Sequence, residues 1–134
     1  MPDPWPEWIT GSYERALGEP LCGPSELDDL AAVVLCHDTS ADPLFVYANR
    51  AAEALWQRRL VGTPSRLTAP PDARAERATA LRSGLVVRGY SGERVSASGR
   101  RFRILDATVW DVVDEHGVQR GQAATFVRTE PVGG

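Results

Sequence analysis

Residues 88–126 read RGYSGERVSASGRRFRILDATVWDVVDEHGVQRGQAATF, a stretch that spells three strands joined by short turns. Val95 and Ala97 alternate with Arg94, Ser96 and Ser98, and Ser98-Gly99 supplies a turn pair before Phe102 and Ile104 resume the alternation. The second strand then changes phase, because Phe102 and Ile104 occupy even positions whereas Leu105, Ala107 and Val109 occupy odd ones. Either a bulge near Leu105 and Asp106 or cover on both faces accounts for such a shift. Asp114-Glu115-His116-Gly117 has the polar, glycine-ended composition of a hairpin loop, and Val118 to Val127 returns as a third strand. Three neighbouring antiparallel strands are therefore predicted.

Working back towards the N-terminus, Trp5, Trp8, Ile9, Tyr13, Ala16 and Leu17 fall at spacings of three and four, the stripe of a short helix that Gly18 can end. Ser25 and Asp28 resemble a capping box ahead of Leu27, Leu30 and Ala31, which predicts a second short helix. The apolar run Ala32–Cys36 suits a strand covered on both sides, and Leu44–Tyr47 is a further strand after the Asp42-Pro43 turn signal. These two complete a five-stranded sheet. Asn49 is a good N-cap for a helix over residues 50–59, in which Ala51, Ala52, Leu55, Trp56 and Leu60 recur at helical spacing. Gly62, Pro64, Pro70 and Pro71 break residues 61–71, Asp72 can cap an alanine-rich helix through Arg82, and residues 129–134 read as a flexible tail.

A chain of 134 residues with 43% apolar composition supports one core of ordinary size. The expected organisation is a flanking helix and linker over 1–24, the sensor-like domain over 25–128 and the tail. Helices on one face of an antiparallel sheet, in this order, are what an α+β fold of the PAS type shows, although other α+β topologies share the element string. The net charge of −3 gives no electrostatic case for nucleic acid, although all fifteen basic residues are arginine. No run reaches the length of a membrane span, and MPDPWPEWIT lacks the basic and apolar regions of a leader, so a cytoplasmic protein with its two cysteines reduced is expected.

Several blocks resemble the MEKHLA family, a PAS-related domain found in small standalone bacterial proteins and at the C-terminus of certain plant homeodomain-leucine-zipper transcription factors. They are LCHDTSADPLFVYANRAAEALW (35–56), TPSRLTAP (63–70), the Arg-x-Glu-Arg of Arg74, Glu76 and Arg77, GYSGERVSASGRRFRI (89–104), ATVWDVVDEHG (107–117) and GQAATF (121–126). Leu35-Cys36-His37-Asp38 stands where the family more often has Leu-Ser-His-Gly. The resemblance implies a sensory or interaction module with a cavity between sheet and helices. Output would pass through a separate protein or through a homodimer, and the Trp5/Trp8 helix is the candidate dimer surface.

No cofactor is named by these residues. The segment after the first two strands, Asn49-Arg50-Ala51, lacks the cysteine of the flavin photoreceptors, and residues 72–84 lack the histidine with which haem-binding PAS domains ligate iron, which leaves His37 as an axial-ligand candidate at a different position beside its more usual role as a hydrogen-bonded structural residue. Cys22, Cys36, His37 and His116 lack the paired spacing of a zinc site. Cys36-His37-Asp38 puts three reactive side-chain types in a row, but neighbouring strand residues face opposite ways, so a Cys36–His37 nucleophile–base pair is not expected. The candidate pocket residues are Cys36, His37, Tyr47, Trp56, Arg66, Tyr90, Trp110 and Gln122, with no catalytic residue among them. Arg66, amid turn residues, suits bracing a carboxylate or holding an anionic ligand. The function expected is non-catalytic small-molecule sensing or protein interaction. A small pocket enzyme of the cyclase or isomerase type, using acid–base chemistry on a metabolite, is the alternative.

Overall fold

The computed structural model describes residues 3–70 and 86–132; the helix expected over 72–82 lies outside the described residues. α1 (Trp5–Leu17) ends at Gly18, whose φ of 78° supplies the left-handed turn that closes a helix. A 3-10 helix (Pro24–Asp29) follows, then β1 (Val33–Asp38), β2 (Phe45–Ala48) and α2 (Arg50–Trp56). A second 3-10 helix (Ser65–Thr68) precedes β3 (Val87–Val95), β4 (Arg101–Val113), β5 (Gln119–Phe126) and β6 (Arg128–Pro131).

Among the described residues these six strands form one antiparallel sheet in the order β2-β1-β5-β4-β3, with β6 paired to the first half of β4. The phase change read in the sequence is a bulge: Asp106 takes φ of 56°, and the β3–β4 register slips on either side of Tyr90. The bulge lets one long strand present Phe102 and Ile104, then Ala107 and Val109, to a single face. β6 falls where the sequence suggested the start of a tail, and all four of its residues are exposed, so no apolar alternation announced it.

Both faces of the sheet are covered, which is why Val33 to Cys36 of β1 are all apolar. The inner face carries Val33, Phe45, Phe102, Ile104 and Phe126 against Ala52, Trp56 and Leu60. The outer face carries Val34, Cys36, Tyr47, Trp110, Val112 and Ala123 against Ile9 of α1 and Leu27 of the first 3-10 helix. α2 thus packs as the α+β expectation has it, while α1 takes the opposite side. Its docking is specific: the Trp110 indole donates to the Ile9 carbonyl at 3.2 Å, the Val113 N–H donates to Ser12 Oγ at 2.9 Å, and Tyr13 meets Trp110 edge-on at 4.9 Å.

The two layers are tied together by Asn49. Its Oδ1 accepts from Ala52 N–H as the α2 cap and from Val34 N–H, both at 3.1 Å. Its Nδ2 donates to the carbonyls of Leu27 at 3.1 Å and Ala32 at 2.9 Å. β1 and β5 approach closely at Gly121, where a Cβ would strike the His37 carbonyl and lie 3.1 Å from Cys36 Sγ. No helix among the described residues is long and apolar enough to cross a membrane.

Candidate ligand-binding cavity

The inner face encloses a cavity of about 30 Å³, room for about two water molecules. Leu35, Phe45, Ile104, Ala107, Val109, Ala124 and Phe126 make most of its wall apolar, and His37, Trp56, Thr68, Tyr90, Arg94 and Gln122 supply the polar groups. Strand alternation explains the sorting. Leu35 and His37 share a side of β1, Gln122, Ala124 and Phe126 share a side of β5, and the cross-strand partners His37 and Gln122 stand side by side.

Trp56, the last residue of α2, is 1% exposed and packs edge-on against Phe102 at 5.4 Å and Phe126 at 6.2 Å, yet its indole N–H has no hydrogen-bond partner. A buried donor left unmet costs about 1–3 kcal/mol, which marks the spot as one where an acceptor belongs. Arg94 on β3 is 5% exposed. Its Nη2 donates to the Tyr90 hydroxyl at 3.0 Å, its Nη1 donates to the Glu93 carbonyl at 2.9 Å, and the guanidinium lies 5.5 Å from the Tyr90 ring centre. Gly92 makes this arrangement fit, because a Cβ there would come within 2.8 Å of Tyr90 Cζ and 2.9 Å of Arg94 Nη1. His37 Nδ1 donates to the Asp38 carbonyl at 2.9 Å. Further along the inner face, Asp111 is paired in register with Gln122. Burial raises its carboxyl pKa against the lowering effect of the Gln122 side-chain hydrogen bond, and its Oδ1 is buried without a partner.

Of the residues singled out in the sequence, His37, Trp56, Tyr90 and Gln122 line this cavity. Cys36, Tyr47 and Trp110 lie in the outer-face cluster, because they occupy the alternate positions of their strands. Arg66 stands at the surface, its Nε 3.1 Å from Asp42 Oδ1. Cys36 and His37 point to opposite sides of the sheet, and burial drives the Cys36 thiol pKa far up, against a smaller lowering by a hydrogen bond to the Gln122 backbone. That thiol faces away from the cavity, and its raised pKa disfavours the nucleophilic thiolate. Arg94 and Asp111 were missed from the sequence. Arg94 looked like the polar side of a strand whose apolar side was Val95 and Ala97, whereas Arg94 and Ser96 are the buried pair. The signal available was Gly92, two residues before Arg94 and on the same side of the strand. Among the described residues no group of three or more His, Cys, Asp or Glu is placed to hold a metal ion.

A family model described as the MEKHLA domain matches residues 4–131. A search of curated proteins gave no match. Among solved structures, a single-residue variant of the fungal photoreceptor VVD superposes with a TM-score of 0.67 at 18% identity, over 90% of this chain and 93% of that one. The PAS domain of a protein from Colwellia psychrerythraea gives 0.62 at 13% identity, over 81% and 92%. An RNA-binding light-oxygen-voltage receptor gives 0.62 at 19% identity, over 76% of this chain and 30% of the receptor, so the chain spans under a third of that protein's length. At these identities the likeness is one of fold. A flavin analogue figures in one further light-oxygen-voltage structure. The residues here do not fit a flavin: the cavity is an order of magnitude smaller than the roughly 300 Å³ of a cofactor pocket, and neither cysteine of the chain lines it.

Proposed function

Since the chain belongs to the MEKHLA domain family and folds as a sensory domain of the PAS/LOV type, we propose that it senses a small molecule held in the inner-face cavity. The observation that carries this reading is the unmet indole N–H of Trp56 in the wall of a small cavity that the sheet and α2 enclose. A purely structural core has no use for an orphaned donor, and a bound acceptor removes its cost. Because Trp56 and Phe126 line the cavity and Trp56 packs on Phe102, an occupant changes how these rings sit on the sheet. The strands beneath them carry α1 on their other side.

Native mass spectrometry of the protein isolated from its own cells, with an absorption spectrum of the same sample, tests the reading. A discrete added mass that leaves on unfolding is the expected result. An empty protein whose melting temperature no small metabolite alters would remove sensing by this cavity.

A further inference from the structure

We infer that the occupant of this cavity is a short-chain carboxylate, its head group held by the Arg94 guanidinium and the Trp56 indole N–H. The inference rests on the sensory reading of the cavity and specifies the chemistry it selects. Arg50, Arg66, Arg101, Arg103 and Arg120 each reach a carboxylate near the surface. Arg94, the buried arginine among the described residues, reaches none: its contacts are a phenol, a backbone carbonyl and a ring face. Alternation along β3 is the reason, since the neighbouring Glu93 turns its carboxylate towards Arg101 and Arg103 instead. A guanidinium taken out of water without an opposite charge is costly, and an anion beside it offsets that cost.

The wall selects among anions. One guanidinium matches one carboxylate in charge and in planar geometry, whereas a phosphate dianion would leave charge uncompensated against Ile104, Val109 and Phe126. The apolar remainder suits a methyl group, and room for about two waters limits the tail beyond the carboxylate to about one carbon. Trp56 adds a single neutral N–H, which accepts no charge of its own and so favours the oxygen of an acid over the nitrogen of an amine.

The test is a titration of the 15N-labelled full chain at neutral pH, following the tryptophan indole N–H signals, with formate and acetate against formamide, acetamide, methylamine and methyl phosphate. Trp56→Phe assigns the Trp56 signal. The expected result is a saturable shift of that signal by the carboxylates alone. Arg94→Met should weaken the carboxylate by about tenfold to a hundredfold while leaving the unliganded protein at least as heat-stable, because it removes an unpaired buried charge. Trp56→Phe, read by calorimetry, should weaken it by about five- to tenfold. Acetamide or methyl phosphate binding as well as acetate would overturn the carboxylate assignment and leave the cavity as a sensing site. A Trp56 signal that none of the six compounds moves would overturn the carboxylate, and only a melting temperature that no small metabolite alters would overturn the sensing reading with it.

Discussion

The Asn49 side chain is wholly buried and spends both ends of its amide on backbone, on the 3-10 helix, β1 and α2 together. Asn49→Asp keeps the shape and the two accepted bonds but turns a carboxylate oxygen towards the carbonyls of Leu27 and Ala32. It is expected to cost about 3 kcal/mol or more in urea unfolding; a loss below 1 kcal/mol would show that the amide is not the tie. Asp111 poses the opposite case. Its pKa is raised in the folded protein, so ionisation takes stability away as the pH rises from the ordinary carboxylate range through the raised value. Asp111→Asn should therefore melt about 3 °C higher at pH 7, the gain fading as the pH falls to about 4. Asp114 runs the other way. Burial acts to raise its pKa, but the N–H groups of Val118 and His116 and the Arg120 side chain outweigh it and hold it low. Its contribution is full above the ordinary carboxylate range and is lost as the pH drops through that lowered value. A variant at Asp111 that melted lower at pH 7 would mean that Oδ1 is met after all.

At the scale of elements, the β1–β5 pairing joins the cavity side to the α1 side, and Gly121 sets how closely it closes. Gly121→Ala forces a methyl group against the His37 carbonyl, which as backbone cannot swing aside. The expected cost is about 1–3 kcal/mol, with faster hydrogen exchange in β1 and unchanged exchange in β3. Equal protection of β1 in variant and parent would sink the idea. Elements of this kind were legible in the sequence where local chemistry fixes them: the Asn49 cap, the turn at Ser98-Gly99 and the phase slip at Asp106. β6 was not, because its residues are all exposed and its nearest register pair, Leu105 with Arg128, is separated by 23 residues, a distance that no local pattern spans. Half of the candidate site was legible for a related reason. Period-two alternation says that Cys36 and His37 diverge, but in a sheet covered on both sides it does not say which side holds the space.

For the whole molecule, the two layers should open together. Cys36 is sealed between sheet and α1, and Cys22 is only partly buried. A thiol reagent added to the native protein at about pH 8 should modify one cysteine promptly. The second should react at the rate of global unfolding, so that its rate follows denaturant with the full unfolding slope. Prompt reaction of both would mean that α1 lifts away on its own.

The distribution of the four tryptophans gives the molecule a means of being watched. Trp5, Trp8 and Trp110 gather around α1 on the outer side, whereas Trp56 stands alone on the inner side. Replacing Trp56 by phenylalanine leaves a protein whose fluorescence arises only from the far side of the sheet. Any change in that emission when a compound enters the cavity is then light carrying news across one strand layer, and its absence would confine the event to the side on which it began.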